Sequence, residues 1–217
     1  MATVPVVDAT ESMLRMDEVE LNDSNVVFIR ETNVPKPESD PDEIFTLREG
    51  VVARLTSAAS YLPDGYKLGI GYGYRRLSVQ QRIFEKVLAQ IVLANVDVVS
   101  TDLLEMTHNF IAVPEVSGHP TGGAVDVTLV TIDGDQLDMG SPFLDITAEE
   151  VQMSWNDAIL NDLQLENRAM LLDVMFRAGF APFAGEWWHY SYGDREWAAY
   201  YDKPNAIYRQ INDNEII

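Results

Sequence analysis

The sequence predicts an α+β fold, a single domain over residues 1–217 with a central antiparallel sheet and helices packed on it. Helical periodicities are interleaved with short strands and hairpin signals rather than with regular βαβ units. One stretch, Ala124–Val130, alternates strictly between two faces. At 217 residues, 47% hydrophobic and 10% aromatic, the chain is long and apolar enough to bury a substantial core.

Residues 1–25 read as a loosely organised lead, and Asn33-Val-Pro-Lys-Pro-Glu-Ser-Asp-Pro-Asp42 as an exposed loop rich in proline and acid. From Phe45 to Leu62, apolar Val51, Val52, Leu55, Ala58, Ala59 and Leu62 recur every three or four positions. This predicts an amphipathic helix stopped by Pro63-Asp-Gly65. Lys67–Gly73 reads as a short strand with Tyr74-Arg75-Arg76 at its exit. Ser78 to about Leu93 reads as a helix with Ser78 as N-cap and Ile83, Val87 and Ile91 on one face.

In Ala124–Val130, Val125, Val127 and Leu129 share one face and Ala124, Asp126 and Thr128 the other, so Asp126 stands opposite an apolar face. Asp133-Gly134 marks a turn, with a hairpin returning through Gln136 to Met139. Glu166–Ala178 is helical and closed by Gly179 as the C′ glycine, and Phe180–Tyr192 is an aromatic-rich strand. There is no internal repeat or low-complexity tract.

Composition excludes several function classes. Fifteen Lys and Arg against 35 Asp and Glu give a formal charge of −20, the wrong sign for neutralising phosphates, so neither nucleic acid nor an anionic membrane is an expected partner. The absence of cysteine removes disulfides, thiolate nucleophiles and thiolate zinc sites. The first residues lack the basic and apolar regions of a signal peptide, and no run approaches the ~18 apolar residues of a membrane span. The expected location is cytoplasmic.

Of three histidines, two lie in dense polar clusters, Ser117-Gly-His119-Pro-Thr-Gly-Gly-Ala-Val-Asp126 and Glu186-Trp-Trp-His189. His119 and Asp126 are separated by a Gly-rich turn that lets the imidazole fold back beside a strand carboxylate. The alternative is a surface histidine beside an aspartate that caps the turn. With His189 they make a His, Asp, His set suited to one catalytic Zn²⁺ with an open fourth position. Glu186 and His189, at i and i+3, would face opposite sides of a regular strand, so the segment must bulge or end near Trp187-Trp188. Glu186 then suits a general base for a metal-activated water, or alternatively a partner that orients a ligand histidine. Arg75 or Arg76 could stabilise an oxyanion, and position alone does not choose between them. His108 reads as a loop or pocket-wall residue rather than a ligand.

Ser117-x-His119-x-x-Gly122-x-Ala124-x-Asp126 followed by Glu186-Trp-Trp-His189 closely resembles the zinc D-alanyl-D-alanine dipeptidases, the group that includes the vancomycin-resistance dipeptidase. The wider family contains murein D,D-carboxypeptidases and endopeptidases and shares its fold with the hedgehog signalling domain. Gln136-Leu-Asp-Met-Gly-Ser141, Arg168-x-x-Leu171-Leu172-x-x-Met175, Ala178-Gly-Phe180 and Tyr190-Ser-Tyr-Gly-Asp194 resemble the dipeptidase branch. The resemblance implies Zn²⁺ held by His119, Asp126 and His189, with Glu186 as general base and then acid. It selects Arg75 for the oxyanion, although Arg76 stands where the family has proline. It also implies that Ser117 and Asp145 hold the free amino group of the small peptide substrate, D-Ala-D-Ala. The competing expectations are a murein peptidase cutting longer peptides, and a zinc-stabilised binding module without turnover. The sequence does not specify an oligomeric state.

Overall fold

The computed structural model describes residues 4–7, 11–16, 25–30, 43–94, 100–108, 111–144 and 160–215. In chain order the strands are β1 (Met13–Arg15), β2 (Val26–Phe28), β3 (Thr46–Arg48), β4 (Tyr66–Tyr72), β5 (Ala124–Thr131), β6 (Ala181–Phe183) and β7 (Glu186–Ser191). The helices are α1 (Glu49–Ser60), α2 (Leu77–Ala94), α3 (Ser100–His108), α4 (Asp162–Arg177) and α5 (Arg195–Tyr200), with a 3-10 turn at His119–Thr121.

Five strands form the main sheet in the order β2-β4-β5-β7-β6, and β1 pairs with β3 in a separate two-stranded sheet. The arrangement is α+β, as expected, but not wholly antiparallel, because the edge strand β2 runs parallel to β4. Parallel neighbours need a crossover connection, and α1 lies in the one between them. The described parts of the lead are held in place: Met13 pairs with Arg48, Val6 bridges Ala206, and Met16 is fully buried.

Helix α1 starts four residues later than the periodicity suggests. Ile44 to Thr46 are committed elsewhere, their carbonyls taking the NH groups of Gly73, Met16 and Tyr74. Its predicted apolar stripe, Val51 to Leu62, is buried. In α2 the buried residues are Val79, Gln80, Phe84 and Ile91, whereas Ile83 and Val87 are half-buried. Ser78 is not the N-cap: its NH meets the Asp213 carboxylate at 3.2 Å. The return of the β5 hairpin shrinks to one bridge, Val130 with Gln136.

A capping box opens α4, with Asn161 accepting from the Gln164 NH and the Gln164 side chain accepting from the Asn161 NH. Gly179, at φ 89°, closes it: the Gly179 NH bonds Phe176 and the Phe180 NH bonds Met175, a Schellman motif. The predicted strand Phe180–Tyr192 is a hairpin, since Ala184-Gly185 turns the chain between β6 and β7.

The core joins Val51 and Leu55 of α1, Leu68 and Ile70 of β4, Val125, Val127 and Leu129 of β5, and Leu171 and Met175 of α4. Each such burial stabilises the fold by about 1.5–3 kcal/mol. Packing α1 and α4 on this face leaves Asp126 and Thr128 pointing to the other, where the polar chemistry collects.

Candidate metal centre and active site

The site is built on the sheet register. Asp126 of β5 stands between Tyr72 of β4 and His189 of β7, directly opposite both. Ile70 pairs with Val127 on the core side, and the register then shifts at Gly71, so that Tyr72 rather than Gly71 faces Asp126. A second irregularity falls between Pro182 and Phe183, where Pro182 pairs with Tyr190 but Phe183 with Glu186. This is the expected bulge around Trp187-Trp188. It brings the Glu186 carboxylate to 3.8 Å from His189 Nδ1 although the two residues lie three apart.

His119 arrives from the 3-10 turn. That turn closes on Gly122 at φ 70°, whose NH bonds the His119 carbonyl; a side chain there would be strained. Arg48 braces the turn by donating to the Thr121 carbonyl at 2.8 Å. His119 Nδ1 lies 2.6 Å from the Gly73 carbonyl, which fixes the ring and leaves Nε2 directed at Asp126, 3.5 Å from Oδ2. His189 Nδ1 lies 3.1 Å from Asp126 Oδ1. The imidazoles meet edge to face with centroids 4.8 Å apart.

Electrostatics follow from this burial. Burial alone would push Asp126 up, but the two imidazoles, His119 foremost, outweigh it and hold the carboxyl well below its usual range. Burial pushes His119 down. In His189 burial is overcome by hydrogen bonds to Asp126 and Glu196, which raise it. Glu186 is pushed up to about 7, chiefly by burial. Trp188 Nε1 donates to its Oε2 at 3.1 Å and fixes its position.

The two arginines diverge. Arg75 is buried; its Nη1 donates to Gln80 Oε1 at 2.8 Å, its Nε to the Tyr72 hydroxyl at 3.3 Å, and its charge acts on both His119 and Glu186. Arg76 turns outward to an ion pair with Glu43. Ser117 is buried two residues before His119, its carbonyl accepting from Gln210 Nε2 at 3.0 Å. Asp145 lies outside the described residues. His108 anchors a loop, with Nδ1 accepting the Val113 NH at 3.2 Å. Three residues that sequence reasoning missed complete the surroundings: Tyr72, Gln80 and Glu196. None of the three carried a signal in local spacing.

His119, Asp126 and His189 offer ligand atoms that all lie within 4.8 Å of one another. Bonds of about 2.0–2.1 Å to a tetrahedral Zn²⁺ space neighbouring ligands about 3.3 Å apart. His119 Nε2 lies 3.5 Å from Asp126 Oδ2 and His189 Nδ1 lies 3.1 Å from Asp126 Oδ1, both near that spacing, each through a different carboxylate oxygen. Two nitrogens and a carboxylate oxygen, buried and without thiolate, therefore fit zinc.

Residues 23–209 match the family model described as D-ala-D-ala dipeptidase, and the chain belongs to that family. It is thus a metallopeptidase. The D-alanyl-D-alanine dipeptidase of Synechocystis sp. is 28% identical over 190 residues, covering 77% of this chain and 77% of that protein. The enzyme of the same name from Enterococcus faecium is 37% identical over 90 residues, 41% of this chain and 43% of its own. Among solved structures, the LdcB LD-carboxypeptidase superposes with a TM-score of 0.44 at 17% identity, covering 88% of this chain and 72% of that one. Among the described residues, no helix is long and apolar enough to cross a membrane.

Proposed function

We propose that this chain hydrolyses the dipeptide D-Ala-D-Ala, with one zinc ion held by His119, Asp126 and His189. The observation that carries the reading is the Glu186 carboxylate, which the β7 bulge holds 3.8 Å from His189 Nδ1, beside rather than within the ligand set. When bound, zinc would supply a Lewis acid for the scissile carbonyl and would lower the pKa of a coordinated water to about 7.

Glu186, with its carboxyl at about 7, is matched to taking a proton from the attacking water and returning it to the departing amine. The proton moves from water to Glu186 Oε and then to the nitrogen, so the carboxylate is regenerated. Arg75, held by Gln80 and Tyr72, directs a permanent positive charge to where the carbonyl oxygen becomes negative. Ser117 and Asp145 are assigned to the substrate's amino group, which would restrict cleavage to dipeptides.

The test is to incubate the zinc-loaded protein with D-Ala-D-Ala, L-Ala-L-Ala and a pentapeptide ending in D-Ala-D-Ala. Cleavage of the first alone supports the proposal. Cleavage of the pentapeptide alone would reassign the chain to the carboxypeptidases, and no cleavage would leave a zinc-stabilised binding module. Glu186→Ala is expected to keep zinc and lose hydrolysis by several orders of magnitude; a variant retaining more than about a tenth of activity would refute the base assignment.

A further inference from the structure

His189 has two ring nitrogens, and its surroundings divide them. Nδ1 faces Asp126 at 3.1 Å, inside the ligand set. Nε2 points the other way, 3.3 Å from Glu196 Oε2 and 3.5 Å from Ser191 Oγ, while the Ser191 hydroxyl lies 3.3 Å from the same Glu196 oxygen. A carboxylate and a serine thus enclose the nitrogen that the metal would not use.

This placement is not incidental to a surface helix. Glu196 stands in the first turn of α5, whose N-cap Asp194 takes the Trp197 NH at 2.9 Å. Arg195, its neighbour, donates to the carbonyls of Val4 and Glu115 at 3.1 and 2.7 Å. The cap and this clamp fix the rotation of a six-residue helix. With that rotation set, an acidic side chain that would ordinarily be solvated turns inward and is 23% exposed.

We propose that Glu196 is a positioning residue for the metal centre: it accepts the Nε2–H of His189, with Ser191 bridging, and thereby holds the tautomer whose Nδ1 lone pair faces the ion. The inference rests on the zinc-peptidase reading above and adds to it a carboxylate, histidine and metal relay. Partners of this kind fix ring orientation and raise ligand basicity, and their loss lowers metal affinity by about 10–100-fold. Glu196 does not touch the reacting atoms, so its removal is expected to act through retention of zinc.

The experiment measures zinc affinity by competition with a chromophoric chelator for wild type, Glu196→Ala and Glu196→Gln. Wild type should bind tightly, Glu196→Ala about 10–100-fold more weakly, and Glu196→Gln in between, because an amide oxygen still accepts the Nε2–H. At saturating zinc, kcat of Glu196→Ala should recover to within a few-fold of wild type. Equal zinc affinity in wild type and Glu196→Ala, or no rescue by glutamine, would overturn the proposal while leaving the peptidase reading standing. Failure of wild type to bind zinc would overturn both. A second measurement does not depend on any variant folding: long-range ¹H–¹⁵N NMR of the zinc-loaded wild type should show His189 protonated at Nε2. A ring metallated at Nε2 refutes the assignment.

Discussion

Replacing Asp194 by asparagine should make the protein more stable at pH 8 and leave it nearly unchanged near pH 4. Asp194 is fully buried; one carboxylate oxygen caps α5, and Oδ2 has no hydrogen-bond partner among the described residues. Burial, and next the neighbouring Glu196 charge, push its carboxyl from 3.8 up to about 6. The folded protein therefore binds this proton more tightly than the unfolded chain. The associated stability is fully present below about pH 4 and is lost as pH rises through about 6. The difference sets a ceiling of about 3 kcal/mol on the penalty for the ionised form. Asparagine caps as well as aspartate but forgoes a charge-assisted bond, which offsets about 1 kcal/mol. A net gain of about 1–2 kcal/mol is expected at pH 8. Urea denaturation of both proteins at pH 4.5 and pH 8, with chelator present throughout, measures it. If the variant is no more stable than wild type at pH 8, or if the gap is the same at both pH values, the reasoning is wrong.

Arg75→Ala should lower kcat about 100–1,000-fold, the loss typical of an oxyanion donor, whereas Arg76→Ala, which removes a half-exposed pair with Glu43, should change kcat little; steady-state kinetics separate them. Zinc at 100 times its dissociation constant should stabilise the fold by about 2.7 kcal/mol, seen as a raised Tm that His119→Ala or a chelator abolishes. Leu129→Ala, at a fully buried core position, should cost about 2–5 kcal/mol in urea denaturation without altering zinc affinity.

The clustering of His119, Asp126 and His189 was legible because these residues are concentrated in two short segments and histidine is scarce in the chain. Strand alternation placed Asp126 correctly, and the i, i+3 spacing of Glu186 and His189 required the bulge that β7 shows. Tyr72 was not legible: an unbroken strand puts it on the side of Ile70, and only the register shift at Gly71 turns it to the polar face. Gln80 was hidden in a helical pattern whose buried face is rotated from the one that Ile83, Val87 and Ile91 suggest. Glu196 depends on how a capped short helix docks, which no local spacing encodes. The parallel edge strand escaped notice because pairing between Val26 and Leu68 is set by a crossover of some forty residues and not by local periodicity.

Residues 206–213 tie together the loop that carries His119 and the start of α2. Gln210 donates to the carbonyls of Pro114 and Ser117, the Ile211 NH bonds Pro120, and Asp213 receives the Ser78 NH beside Arg75 and Arg76. During synthesis, His119 and Asp126 therefore leave the ribosome well before the chain that locks their loop, and before His189. A nascent chain at that stage exposes an imidazole and a carboxylate but not the enclosed site. The cluster of His119, Asp126 and His189 is thus complete only after residue 189 has been made, and its loop is tied down only after residues 206–213 follow.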